Sequence, residues 1–153
     1  MDTPSQALEK LRHFCAYQER CHAEVSDKLR QLGLWGPDAD EILATLINEN
    51  YLNEERFARS FARGKFRMKN WGRKKITQAL NLKKISPYCI RQGLSEIPED
   101  AYRQTLKKLA RDKYEALRKE QYLKRRYKTI QYLIAKGYEP DLVREVLDDL
   151  TEN

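Results

Sequence analysis

One short pattern returns three times along this chain, at Asp27 to Leu34, Gln78 to Ile85 and Gln131 to Tyr138. Its register continues without a gap to Leu43, Leu94 and Leu147, so matched leucines stand 51 and then 53 residues apart. A period of this size marks one supersecondary unit of about three helices, stacked on its neighbours because no single unit buries enough apolar surface alone. The pattern therefore predicts an all-α fold of three tandem three-helix repeats, helix-turn-helix-like units over residues 5–52, 53–97 and 98–150. Stacking them predicts an elongated, curved molecule.

The spacing of apolar residues places the helices. Leu8, Leu11 and Cys15 share a face of a first helix with Ser5 as its expected N-cap. Val25, Leu29 and Leu32 do the same for a second that stops at Gly33, and Gly36-Pro37 opens a third that ends at Asn50. In the second repeat, Asn53 caps a helix with Phe57, Ala58, Phe61 and Ala62 inward, closed by Trp71-Gly72. The next helix puts Ile76, Leu80 and Leu82 on its apolar side, and Ser86-Pro87 starts a short one. A long helix from about Glu99 has no visible stop through Gln121; two more follow, separated at Gly137.

No apolar run approaches the roughly 18 residues that cross a bilayer, and Met1 to Gln6 lacks the features of a signal peptide. Three cysteines without a C-x-x-C pair suit a reducing compartment, so a cytoplasmic location is expected. His13, Cys15, Cys21 and His22 lie close in sequence, but their spacings fit no familiar zinc framework and Cys15 falls on an apolar stripe. No metal and no cofactor are expected. Phosphate-binding glycine loops, the H-E-x-x-H motif and the nucleophile elbow are all missing, and the two histidines have no neighbour to orient them as bases. These observations argue against an enzyme.

Charge separates the three copies. Residues 1–53 hold five Lys/Arg against nine Asp/Glu (net −4), residues 54–97 twelve against three (net +9), and residues 98–153 thirteen against eleven (net +2). Repeats that share a core pattern need not share a surface, so the cationic middle copy speaks of partners. Arg56, Arg59, Arg63 and Arg67 recur at helical spacing, opposite Phe57 and Phe61. Lys65, Lys69, Arg73, Lys74 and Lys75 extend the basic region through the following turn, and nearby in sequence only Glu54 and Glu55 could neutralise it. A single basic pair is usually a solvated helix face, but this concentration favours contact with a polyanion. A second basic run, including Lys124 and Arg125, is interleaved with Tyr114, Tyr122, Tyr127 and Tyr132. Aromatics among cations can stack on bases, although tyrosines at helical spacing more often pack with only their tips in water.

Tyr51-Leu52-Asn53-Glu54-Glu55-Arg56-Phe57-Ala58, followed by Trp71-Gly72-Arg73-Lys74-Lys75-Ile76 and Leu80, resembles the central signature of the RecX family, regulators of the RecA recombinase. Glu19-Arg20-Cys21 with Lys28-Leu29 and Gly33, and Lys136-Gly137-Tyr138 with Val143 and Val146, are looser matches in the flanking repeats. The chain departs from the family pattern at Asn50 and Lys84, where Gly is usual, and at Cys21, where Ser is usual and a capping oxygen worth about 1 kcal/mol is lost. Lys84 leaves open whether its helix ends differently or runs further. The resemblance implies the triple helical repeat, a monomer, no catalytic activity, and binding to the RecA filament on single-stranded DNA with inhibition of ATP hydrolysis and strand exchange. It implies a role in recombination and DNA repair. Expected polyanion contacts are Arg56, Arg59, Arg63, Arg67, Arg73, Lys74 and Lys75, then Lys124 and Arg125, with Phe57, Ala58, Gly72 and Ile76 as framework. The alternatives are a sequence-tolerant nucleic-acid binder that acts without the recombinase, and a duplex-reading helix-turn-helix regulator, for which Arg73-Lys74-Lys75 suits phosphate better than base edges.

Overall fold

The computed structural model describes residues 1–152, which form nine α-helices and no strand. They are α1 (Pro4–Tyr17), α2 (His22–Gln31), α3 (Pro37–Asn48), α4 (Glu54–Lys69), α5 (Arg73–Leu82), α6 (Pro87–Leu94), α7 (Glu99–Ala116), α8 (Tyr122–Ala135) and α9 (Pro140–Thr151). Each repeat seen in the sequence becomes one triplet.

The physical origin of the repeated pattern is a turn used three times. Gly33, Lys84 and Gly137 take left-handed φ values of 85°, 61° and 103°. After each, the amide of the next residue donates back to the carbonyl five residues earlier: Leu34 to Leu29 at 2.9 Å, Ile85 to Leu80 at 3.1 Å and Tyr138 to Leu133 at 3.2 Å. Together with the bonds Gly33 to Arg30, Lys84 to Asn81 and Gly137 to Ile134, these are Schellman caps, whose apolar pair (Leu34 with Leu29, and its counterparts) is buried in every copy. Lys84 thus ends its helix as Gly would; α5 neither continues nor changes shape. Asn50 closes α3 in the same left-handed way at φ 62°.

The chain divides into two compact units, and the middle triplet contributes to both. The first comprises Met1–Ser60 and Leu80–Gly93. Its core holds Ala7, Leu11, Cys15, Val25, Leu29, Leu34, Ile42, Leu46 and Leu52. The cap of α1 is Thr3, not the expected Ser5: Thr3 Oγ1 accepts from the Gln6 amide at 3.2 Å, and Gln6 Oε1 accepts from the Thr3 amide at 3.0 Å. Pro4 fixes this choice because its ring suits the first helical position. Cys21 precedes α2 with its thiol fully buried, while Glu24 still accepts from the Cys21 amide at 2.9 Å. Gly93 lets α6 approach α4 closely, since a Cβ there would stand 2.6 Å from the Ala58 carbonyl oxygen.

The second unit comprises residues 61–79 and those from 94 onward. Tyr102, Leu106, Ala110, Leu133, Tyr138, Val143 and Leu147 are fully buried in it. The Tyr102 and Tyr138 rings meet at 5.1 Å, and Phe66 stacks on Tyr102 at 6.0 Å. Phe66, not Phe61, continues the buried face of α4, and Phe61 is only half-buried. Leu82, expected on the apolar side of α5, is 80% exposed, because it lies in the last turn on the side away from Ile76 and Leu80.

Candidate polyanion-binding surface

The arginines of α4 do not form a row of four free guanidinium groups. Arg56 donates to Asn50 Oδ1 at 3.1 Å and to the carbonyls of Asn50 and Tyr51 at 3.1 and 3.3 Å, and it meets Glu19 at 2.6 Å. It thereby ties down the chain leaving α3. Arg59 bonds Glu55 at 3.1 Å and Gln92 at 2.8 Å, and Arg63 pairs with Glu96. Only Arg67 is exposed with no carboxylate partner among the described residues. Glu54 and Glu55 are therefore not the only groups that neutralise this helix: partners arrive from Glu19 and Glu96, distant in sequence and close in space.

Arg73 is more deeply committed. Its guanidinium pairs with Glu99 and, at 2.8 Å, with Glu139, and it lies 3.8 Å from the Tyr102 ring centroid. Its own amide donates to the Tyr102 hydroxyl at 2.9 Å, and that hydroxyl donates to Glu139 at 2.5 Å. Burial alone would raise the Glu139 carboxyl, but the hydrogen bonds from Tyr102 and Arg73 outweigh it and hold the group below its ordinary range. Burial, reinforced by the bond to Glu139, pushes the Tyr102 phenol up. This cluster fastens the start of α5 to α7 and α9.

What remains cationic is gathered around Trp71, in the second unit. Lys65 Nζ lies 4.9 Å and Lys75 Nζ 4.7 Å from the indole centroid, and Trp71 meets Phe61 edge-on at 6.4 Å. Arg67, Lys69 and Lys74 are exposed close by in sequence, and none of these five cations has a carboxylate partner among the described residues. The amides of Gly72 and Lys74 donate to the carbonyls of Lys136 and Gly137 at 2.8 and 2.9 Å, so the positive potential comes from side chains and not from open amides at the start of α5. That docking also explains Gly72, where a Cβ would stand 2.4 Å from Gly137. Trp71 has no role beyond closing α4 when only the sequence is read. Its position between Lys65 and Lys75 in a run of cations was the available signal.

In α8, Lys124 is exposed and stands 4.0 Å from Glu120, whereas Arg125 lies 3.6 Å over the Tyr114 ring and donates to the Tyr114 carbonyl at 2.7 Å. Tyr122 and Tyr127 are exposed, and Tyr114 and Tyr132 are half-buried. Of the two basic side chains expected here, Lys124 is available and Arg125 packs. No group of three or more His, Cys, Asp or Glu that could hold a metal ion occurs among the described residues, and none of their helices is long and apolar enough to cross a membrane.

Residues 53–94 match the family model described as RecX, second three-helix domain, and residues 100–147 match RecX, third three-helix domain. The chain is 29% identical over 154 residues to the "Regulatory protein RecX" of Oceanobacillus iheyensis, covering 99% of this chain and 57% of the relative. It is 32% identical over 132 residues to that of Clostridium perfringens strain 13, covering 85% of this chain and 61% of the relative. The chain thus spans about six-tenths of the length of these curated relatives. The crystal structure of RecX from Lactobacillus salivarius superposes with a TM-score of 0.88 at 24% identity over 98% of this chain and 97% of that one, a likeness of fold.

Proposed function

The chain belongs to the RecX family of regulatory proteins, and from that membership we propose that it binds the RecA filament on single-stranded DNA as a monomer and inhibits its ATP hydrolysis and strand exchange. It acts by occupancy, without catalytic chemistry of its own, in the cytoplasm and in the service of DNA repair. The observation that carries this reading is the cationic surface around Trp71, where Lys65, Arg67, Lys69, Lys74 and Lys75 present positive charge that no carboxylate of the described residues offsets. Lysines met by phosphate lose little internal structure, whereas Arg56, Arg59, Arg63 and Arg73 would first have to leave partners already made. Contact therefore runs chiefly through Arg67, Lys74 and Lys75, with Lys124, which already stands near Glu120, second to them and Arg59 and Arg63 contributing field more than bonds.

The same surface suits a second reading, a sequence-tolerant binder of single strands, because an indole among lysines can serve as a stacking platform. Salt separates the two. Fluorescence anisotropy of a labelled oligonucleotide, bare and coated with recombinase and a slowly hydrolysed ATP analogue, is followed from about 50 to about 200 mM salt. Binding to the filament that outlasts binding to the bare strand supports the recombinase reading. Equal loss on both leaves the nucleic-acid binder.

A further inference from the structure

The first unit carries an apolar ridge that the cationic surface does not account for. Trp35 is 68% exposed at the turn before α3, and Ala39, Leu43 and Ile47 follow at i+4 steps along that helix. Ala39 and Leu43 are half-buried, Ile47 is 42% exposed, and Leu29 and Leu34 floor a shallow groove beside Trp35 between α2 and α3. At the matched register positions of the later repeats, Ile90 is 5% exposed and Val143 and Leu147 are fully buried. Leu94, the counterpart of Leu43 in the second repeat, is half-buried as Leu43 is, so both helix positions are core only in the third repeat.

The chemistry around the ridge specifies an occupant. Residues 31–53 contain Asp38, Asp40, Glu41 and Glu49 and not one Lys or Arg, in a chain of net charge +7, and Arg30, the one cation that lines the groove among the described residues, is held by Asp27. Glu49 is held by Arg12 at 2.8 Å, whereas Asp38, Asp40 and Glu41 are exposed and have no cation partner among the described residues. Carboxylates in the first turn suit the helix dipole and by themselves say nothing of a partner. Carboxylates rimming an exposed tryptophan and an open apolar ridge do, because burying that ridge under a neutral or acidic surface would leave them unpaired. We infer that the α2–α3 groove with Trp35 docks a basic, amphipathic helical segment of a protein partner, and that nucleic acid is held elsewhere. Acidic side chains repel phosphate, so this face and the Trp71 surface take partners of opposite charge. The proposed recombinase is taken as that protein, so the inference rests on the function proposed above, and its test must separate the two.

Trp35→Ala and, separately, Asp38→Lys/Asp40→Lys are titrated against the recombinase filament and against bare oligonucleotide, with Lys74→Glu alongside and circular dichroism as the folding check. All the altered side chains are exposed, and the charge variant keeps the question open should Trp35→Ala disturb the turn. The expected result is a loss of about tenfold or more on the filament for both first-unit variants, the scale of an interface tryptophan, with binding to the bare strand not weakened. Full filament affinity for these variants while Lys74→Glu binds poorly would overturn the groove and leave the cationic surface standing. Equal weakening on bare strand would make the groove a nucleic-acid contact and overturn it. A loss with Trp35→Ala alone would overturn the basic character of the partner. Sedimentation showing a dimer of the unaltered protein that Trp35→Ala dissolves would assign the groove to a second copy. No filament binding by the unaltered protein would sink both proposals.

Discussion

The amide of Arg73 donates to the Tyr102 hydroxyl at 2.9 Å while the guanidinium of the same arginine lies 3.8 Å from the centroid of the same ring. One residue is therefore held at both its main chain and its side chain by a single buried tyrosine. Glu139 completes the arrangement by accepting from both, which makes Arg73, expected from the sequence to be a polyanion contact, a part of the framework.

Replacing Tyr102 with Phe leaves the Arg73 amide and Glu139 each short of a partner, and about 1–3 kcal/mol of stability is lost, as measured by urea unfolding. Because the Glu139 carboxyl is held below its ordinary 4.5, its contribution is complete above that value and disappears as pH falls through its depressed folded value. Glu139→Gln accordingly lowers stability at neutral pH and flattens the acid limb of the stability profile. A steep limb unchanged in the variant would place the acid sensitivity elsewhere.

Lys84 holds its left-handed φ of 61° at the cost of side-chain crowding that its counterparts Gly33 and Gly137 escape. Lys84→Gly raises stability by about 1 kcal/mol, the usual cost of an L-residue in that region less the extra freedom glycine has when unfolded. The measurement is the denaturant midpoint at constant slope.

Charge reversal sorts the basic residues by their present partners. Lys74→Glu and Arg67→Glu weaken binding to the filament and to single strands with unfolding unchanged, and removing one phosphate-neutralising side chain lowers the salt slope by roughly 0.7. Arg63→Glu faces Glu96 instead and lowers stability as well as binding. Equal stability losses across the three variants would contradict the division.

Cys21 should be the least reactive thiol. It is fully buried, burial pushes its pKa up to about 11, and the thiolate is the reacting species. Under native conditions a maleimide labels the half-exposed Cys89 first, and mass spectrometry finds Cys21 modified only after denaturant is added.

Local chemistry was legible in the sequence at several positions that one short segment decides, although not at the cap of α1, which fell on Thr3 and not on Ser5. The turns after Leu32 and Lys136, the positive φ of Asn50 and the cap at Asn53, whose Oδ1 accepts from the Arg56 amide at 2.9 Å, follow from residues within one turn of each other, whereas the sequence left the turn at Lys84 open. The candidate site was legible only as a quantity of charge. Which cations remain available depends on Glu19, Glu96, Glu99 and Glu139, and their approach is a product of packing across dozens of residues. A helical wheel of α4 puts Arg59 and Arg67 on equivalent footing, although one bonds Gln92 and the other has no such partner. Trp71 was hidden for the same reason, since its lysine neighbours converge only once the turn into α5 is built.

The most direct test is steady-state ATP hydrolysis by the recombinase on single-stranded DNA, titrated with this protein at near-physiological salt and repeated with a large excess of DNA. A filament-binding regulator inhibits at protein concentrations well below those that would cover the DNA, and the inhibition persists when DNA is in excess and is weakened by Lys74→Glu. Unchanged hydrolysis, or inhibition that excess DNA abolishes, would contradict the proposed function.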